Sequence, residues 1–130
     1  MKILNKITGI ILILGVFSFF VYVYTLNVYC IPKRLKNYGV MLNGWTLEWK
    51  FDSKGGRSLE YEFYFKGKKI IGYTSLSKNN GNGNFVHTYF PLIYDTIHGH
   101  ERMLIEPKDF KEFNIDFPDS LNWVLPYVKD

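Results

Sequence analysis

From Ile7 to Pro32 the chain carries no charged side chain: Ile-Thr-Gly-Ile-Ile-Leu-Ile-Leu-Gly-Val-Phe-Ser-Phe-Phe-Val-Tyr-Val-Tyr-Thr-Leu-Asn-Val-Tyr-Cys-Ile-Pro. No other stretch constrains the fold as much, because a bilayer core about 30 Å thick is crossed by roughly 20 apolar residues in a helix. Ile7 to about Leu26 supplies that length. Lys2 and Lys6 lie before the run and Lys33, Arg34 and Lys36 after it, with Tyr22, Tyr24 and Tyr29 gathered at the second end. A tyrosine ring with a wet hydroxyl suits the headgroup layer. The expectation is an N-terminal membrane anchor over residues 1–31, with the lipid bilayer as its partner.

A buried helix of a soluble protein would show a polar stripe over this length. A cleaved signal peptide is the closer rival, since Met-Lys-Ile-Leu-Asn-Lys makes a fair n-region. Cleavage needs small residues at −3 and −1, however, and after Val16-Phe17-Ser18 the apolar run simply continues through Tyr22. Lipoprotein processing at Cys30 is opposed by the bulky Tyr29 before it. An uncleaved signal-anchor is therefore expected. The positive charges flanking it are nearly balanced, but a very short basic tail before a signal-like run stays inside, which puts the remainder of the chain outside the cytoplasm.

The net charge of +4 is easily misread. Residues 1–36 hold five of the sixteen Lys and Arg and none of the twelve acids, leaving eleven basic against twelve acidic residues from 37 onward, a net of −1. The basicity belongs to the membrane flanks, where it meets anionic headgroups. A near-neutral domain gives no reason to expect phosphate-backbone contacts, so nucleic acid is not an expected partner. The single cysteine, Cys30, excludes a disulfide framework within the chain. It is read as a membrane-interface thiol, open to an intermolecular bridge or to acylation.

Residues 32–44 read as a connector, since Pro32 discourages the helix from continuing. At Trp45 the period changes to two: Trp45, Leu47, Trp49 and Phe51 alternate with polar residues, which assigns all four to one buried face of a strand. Asp52 to Arg57 is turn chemistry. Leu59, Tyr61, Phe63 and Phe65 alternate in the next strand with Glu60, Glu62 and Tyr64. If Lys66-Gly67 centres a hairpin turn, Phe65 pairs with Lys68, Phe63 with Ile70, Tyr61 with Gly72 and Glu60 with Tyr73, and Glu62 lies diagonal to Lys69. Ile71 and Tyr73 then fall on the polar face, so that face is partly covered or the strand bulges at Gly72.

Ser77 to Asn84 is a Gly/Asn loop followed by a strand, not by the helix a phosphate-cradling loop requires. Phe85 to Tyr94 reads as that strand, with Pro91 placing it at an edge or bulge, and Arg102 to Ile105 as another. Two short helical segments, Glu106 to Phe113 and Phe117 to Val124, would lay Phe110, Phe113, Phe117, Leu121 and Trp123 over the open sheet. The fold class expected is mainly β: the transmembrane helix plus a small antiparallel sheet or partial barrel of four to five strands over 45–130, with short C-terminal helices.

The order of these features resembles a group of small bacterial single-span membrane-anchored proteins. The resemblance rests on Tyr61-Glu-Phe-Tyr-Phe leading to Lys66-Gly67-Lys68, a Gly/Asn loop, Phe90-Pro-Leu-Ile-Tyr-Asp95, the apolar Met103-Leu-Ile, and a tail with Asp109-Phe and Phe117-Pro-Asp-Ser-Leu. It covers most of residues 58–122. It implies a small β domain at a bacterial cell membrane and no assigned activity. Such proteins usually carry a Pro/Asn-rich loop after the Asp; here it is Thr96-Ile97-His98-Gly99-His100, so the histidines inherit no role from the resemblance.

His87, His98 and His100 are the only group with a catalytic look. With Asp95 or Glu101 they could complete a zinc shell, but Gly99 suggests a turn and the spacing matches no ligand motif. Glu60 and Glu62 share a face, as a general acid and base would, and as the wet side of any strand does. Trp45 and Trp49 could form a binding platform, but the alternation assigns them to the core. No serine lies in a nucleophile elbow. The leading expectation is a non-catalytic β domain, without a cofactor, displayed at the membrane for protein recognition or scaffolding, with Tyr64, Ile71 and Tyr73 as the interaction surface. The alternatives are an immunity-type protein binding a toxin at the envelope, and a membrane-tethered metal enzyme using the His98/His100 loop.

The anchor reading has a direct test. The full chain is expected to sediment with membranes and resist carbonate extraction, and Leu14→Arg to cost about 2.5–3.5 kcal/mol of insertion free energy. Recovery of a soluble species beginning near Phe19 would identify a signal peptide instead.

Overall fold

The computed structural model describes residues 1–78 and 82–128; the loop expected over Ser77–Asn84 therefore lies partly outside the described residues. One helical rod opens the chain. α1 spans Lys2–Thr25, a π-helical turn Leu26–Cys30, and α2 Ile31–Tyr38. The rod is long and apolar enough to cross a membrane, and no side chain of α1 is buried in the protein. Three of its polar side chains bond back to the helix: Thr8 Oγ1 to Leu4 O, Thr25 Oγ1 to Val21 O, and Asn27 Nδ2 to Val23 O.

The expected connector over 32–44 is not a loop. Pro32 sits in the first turn of α2, where its missing N–H costs little. The π-turn just before it, in which Ile31 N–H reaches back to Leu26 O, widens the coil and absorbs the break in the ladder. The helix runs on to Tyr38 and passes directly into β1, Gly39–Phe51.

Five strands form one antiparallel half-barrel in the order β3-β2-β1-β4-β5, with β2 Arg57–Phe65, β3 Lys68–Thr74, β4 Tyr89–Asp95 and β5 Glu101–Met103. The β2–β3 hairpin has the register expected from Lys66-Gly67, residue for residue from Leu59↔Thr74 to Phe65↔Lys68. Both turn residues adopt positive φ, 50° and 76°, the geometry whose twist matches the flanking strands. No bulge interrupts the pairing at Gly72. The Tyr61 ring lies across that glycine instead, where a Cβ would collide with it.

The departure from expectation lies in β1. Thr46 pairs with Tyr61, but the next pair is Trp49 with Leu59, so Leu47 and Glu48 together oppose Glu60. This bulge reverses which side chains face inward. Before it Leu42, Gly44 and Thr46 point to the core; after it Trp49 does. Trp45 and Trp49 thus lie on opposite faces, and Phe51 is exposed. Thr46, fully buried, is satisfied at both ends: its Oγ1 donates to Thr88 O at 3.0 Å and accepts from Thr88 N–H at 2.9 Å.

The fourth strand is shorter than the expected Phe85–Tyr94. Gly83–Phe85 is a 3-10 turn capped by the Asn82 side chain, and His87 has φ 54°, which breaks the extended run. Pro91 is tolerated inside the sheet because its carbonyl side faces the end of β5, where it accepts from Leu104 N–H at 2.8 Å; no ladder donor to β1 is lost. The inner face packs Leu59, Tyr61, Phe63, Phe90, Leu92 and Met103 against the C-terminal segments: α3, Pro107–Glu112, and a 3-10 stretch, Asp119–Tyr127. These bring in Phe110, Leu121 and Val124 as buried residues and Phe113, Phe117 and Trp123 as partly buried ones, as the tail pattern implies.

The bulge has a measurable consequence. Trp49 is half-buried, packs edge-on against Phe85 and donates its indole N–H to Asn82 O at 2.8 Å. In urea melts of the full chain in detergent, Trp49→Ala is expected to cost about 2–3 kcal/mol, below the roughly 3–5 of a fully buried aromatic. Trp45→Ala should cost about 1 kcal/mol, the order of one aromatic pair. Equal losses would show that the two indoles share a face.

Candidate functional site

Alternation places Lys69, Ile71 and Tyr73 of β3, Glu60, Glu62 and Tyr64 of β2, Met41, Asn43 and Trp45 of β1, and Tyr89, Pro91 and Ile93 of β4 on the outer face of the half-barrel. The registers align Ile71, Glu62, Trp45 and Tyr89 in one row across four strands. The face divides in two. At one end α2 packs against β4 and β1; Leu35 is buried there, and Ile93, though outward, is only 5% exposed. A Cβ at Gly39 would collide with the Leu35 carbonyl and with Ile93, so helix and strand approach as closely as glycine permits. A cleft of about 300 Å³ remains beside this contact, lined by Leu35, Met41, Ile93, Phe113 and Ile115 among others.

The other part of the face is open and aromatic. Tyr89 is 65% exposed, Tyr64 59%, Tyr73 58% and Ile71 41%. Trp45 and Tyr89 rings pack with centroids 4.5 Å apart, and the His87 ring lies 6.0 Å from Trp45. Asn43, a small residue among large ones, leaves a recess of about 240 Å³ whose lining includes Trp45, Tyr64, Tyr89 and Glu62. Tyr64, Ile71 and Tyr73, expected as an interaction surface, all lie on this open face. Trp45 has a platform reading in the sequence, but alternation assigns it to the core because a bulge leaves no mark in a period-two pattern, and nothing in the sequence pattern singles out Tyr89.

The paired acids carry structural partners. Glu62 lies 3.2 Å from Lys69 Nζ, the diagonal pair expected, and Glu60 lies 3.9 Å from Lys50 Nζ. Glu60 also accepts a hydrogen bond from Tyr73, holding that phenol above its ordinary value.

The three histidines are not brought together. His87 precedes β4 and His98 follows it, so about 20 Å of strand at roughly 3.3 Å per residue separates them. Among the described residues no three His, Cys, Asp or Glu side chains are placed to hold a metal ion. His98 serves the β4–β5 turn: its Nδ1 lies 2.8 Å from Asp95 Oδ2, and its ring is 6.2 Å from that of Tyr38. Asp95 is fully buried and accepts from Ile97 N–H at 2.9 Å and His98 N–H at 3.2 Å. Burial pushes its carboxyl up, but these N–H groups and the imidazole outweigh burial and leave it below the ordinary value. Cys30 lies in the π-turn, half-buried.

A third recess, about 270 Å³, opens between β3 and β5 and includes Ser58, Tyr61, Glu101 and Arg102 in its lining. Burial raises the Glu101 carboxyl; Tyr61 is raised by burial first and then by Glu101. These residues come from strands far apart in sequence, so no local pattern announces them. No protein-family model, curated protein or solved structure matches the chain.

A group depressed in the folded state contributes stability above its unfolded pKa, about 3.9 for Asp, and loses it as pH falls through the folded value. Asp95→Asn is therefore expected to lower the unfolding free energy by about 1–2 kcal/mol at neutral pH. The gap to the wild type should shrink as the medium is acidified below about pH 4. A gap independent of pH would mean that the Asp95 charge contributes nothing to the turn.

Proposed function

We propose that the chain is a single-pass membrane protein whose non-catalytic β domain, held outside the cytoplasm, recognises another protein through the open half of its outer face. The observation that carries this reading is the exposure of Tyr64 and Tyr89 around one recess with the half-buried Trp45, next to Ile71 and Tyr73, on a folded sheet whose inner face already has a full core. Tryptophan and tyrosine are the residues that dominate binding energy when a partner desolvates them, and contiguous exposed aromatic surface marks interaction sites. The α2 contact supports the same reading, because it holds the domain on the end of the apolar rod with no flexible linker between them. A metal-dependent reaction in the His98/His100 loop is disfavoured by geometry, since among the described residues no three His, Cys, Asp or Glu side chains are placed to hold a metal ion.

The test is site-specific photocrosslinking in cells. A benzoylphenylalanine replacing Tyr89 is expected to give a discrete protein adduct in the membrane fraction. The same probe replacing Lys111, exposed on α3, should give none. Trp45→Ala should diminish the Tyr89 adduct by roughly tenfold or more, the scale of a hot-spot truncation. Equal adducts from both positions, or none from either, would overturn the recognition reading.

A further inference from the structure

The recess beside Trp45 has a chemistry that narrows its occupant. Its lining brings together Trp45, Tyr64 and Tyr89 with Phe63, Asn43 and the carboxylate residue Glu62. Aromatic faces carry negative electrostatic potential and attract cations. The carboxylate adds a full negative charge at the rim, with its side chain 20% exposed. That charge already draws a cation, Lys69 Nζ at 3.2 Å, from the neighbouring strand, and the Lys69 side chain is 54% exposed and free to swing into solvent. Among the described residues the Asn43 amide has no hydrogen-bond partner, which leaves its carbonyl oxygen available as an acceptor.

Taken with the protein-recognition reading on which it rests, this arrangement leads us to infer that the recess takes an arginine side chain of the protein partner. A guanidinium is planar, so it stacks on Trp45 or a tyrosine ring while its edge reaches Glu62 and Asn43, and its five donors match two acceptors set at different angles. A lysine ammonium is a point charge that satisfies Glu62, as Lys69 does, and feels the ring faces, but it lacks the planar stacking and the fork of donors that reach Glu62 and Asn43 together. A saccharide uses the rings and can donate hydroxyls to the carboxylate, but it brings no positive charge to neutralise it. Lys69 is then a placeholder: it neutralises Glu62 in the unbound domain and is displaced when the arginine enters.

The experiment uses the full chain in detergent micelles with the indole N–H signals labelled, Trp45 being identified by Trp45→Phe. The probe is acetyl-Gly-Arg-Gly-amide, compared with the same peptide carrying citrulline, which keeps the shape and loses the charge. The expected result is a saturable, millimolar shift of the Trp45 signal, roughly tenfold weaker with citrulline and with Glu62→Gln. Lys69→Ala should tighten binding about threefold, by removing the competing cation. All three positions lie on the outer face of the sheet, and unchanged signals from Trp49 and Trp123 report that the variants stay folded. Equal binding of arginine and citrulline, no effect of Glu62→Gln, no saturable shift, or a stronger response to chitobiose would each overturn the arginine assignment. If the Tyr89 photoadduct persists in that case, only the occupant of the recess is wrong; if it too is missing, protein recognition by this face fails with it.

Discussion

The arrangement of the outer surface depends on the hydrogen bonds between Thr46 and Thr88. Thr46 is fully buried, so its hydroxyl needs partners, and both come from the Thr88 backbone. The backbone adds Thr46 N–H to Thr88 O at 3.0 Å and His87 N–H to Thr46 O at 2.9 Å. This local clamp turns the hydroxyl inward at a position where the pattern of large residues points the other way. The extra residue at Leu47–Glu48 restores the inward facing of Trp49 one step later. Without that bulge, strict alternation from Thr46 would turn Trp49 outward, on the same face as Trp45, and its contact with Phe85 would be lost.

A second dependence runs through the helical rod. The π-turn lets the chain pass Pro32 without leaving the helix, and α2 then buries Leu35 and partly buries Ile31 against the domain. Lys33 and Lys36 stay exposed on the other side of the same turns. The helix end is therefore both the flank of the apolar span and a piece of the domain's own packing. Part of the sheet's outer face is sealed by this contact, which confines the exposed aromatic surface to the remainder.

The buried polar groups are explained by structure more readily than by chemistry. Asp95 gathers the β4–β5 turn around its carboxylate. Glu106 accepts from Ser77 N–H at 2.8 Å and from the Ser77 hydroxyl, tying the segment after β3 to the start of α3, while Asp109 accepts from the N–H groups of Ile105 and Glu106. Burial dominates at Asp109 and raises its carboxyl. Each of these side chains satisfies backbone groups that would otherwise be stranded away from water, a loss of about 1–3 kcal/mol apiece.

The periodic parts of the molecule were legible in the sequence because their physics is local. An uncharged run of membrane length, the alternation in Leu59–Phe65 and the Lys66-Gly67 turn were enough for the long apolar helix, the β2–β3 register and the Glu62–Lys69 pair. They also placed Tyr64, Ile71 and Tyr73 on one open face, and the aromatic spacing of the tail identified its covering role. What the tertiary structure decided depends on groups distant along the chain. The passage of the helix through Pro32 is accompanied by the docking of Leu35 beside Ile93, almost sixty residues away. The opposite facing of Trp45 and Trp49 depends on Thr46 meeting Thr88. The separation of His87 from His98 follows from where β4 begins and ends. A period-two pattern shows which residues alternate but not where a strand gains a residue, since the hydrogen bond that fixes a bulge comes from another strand.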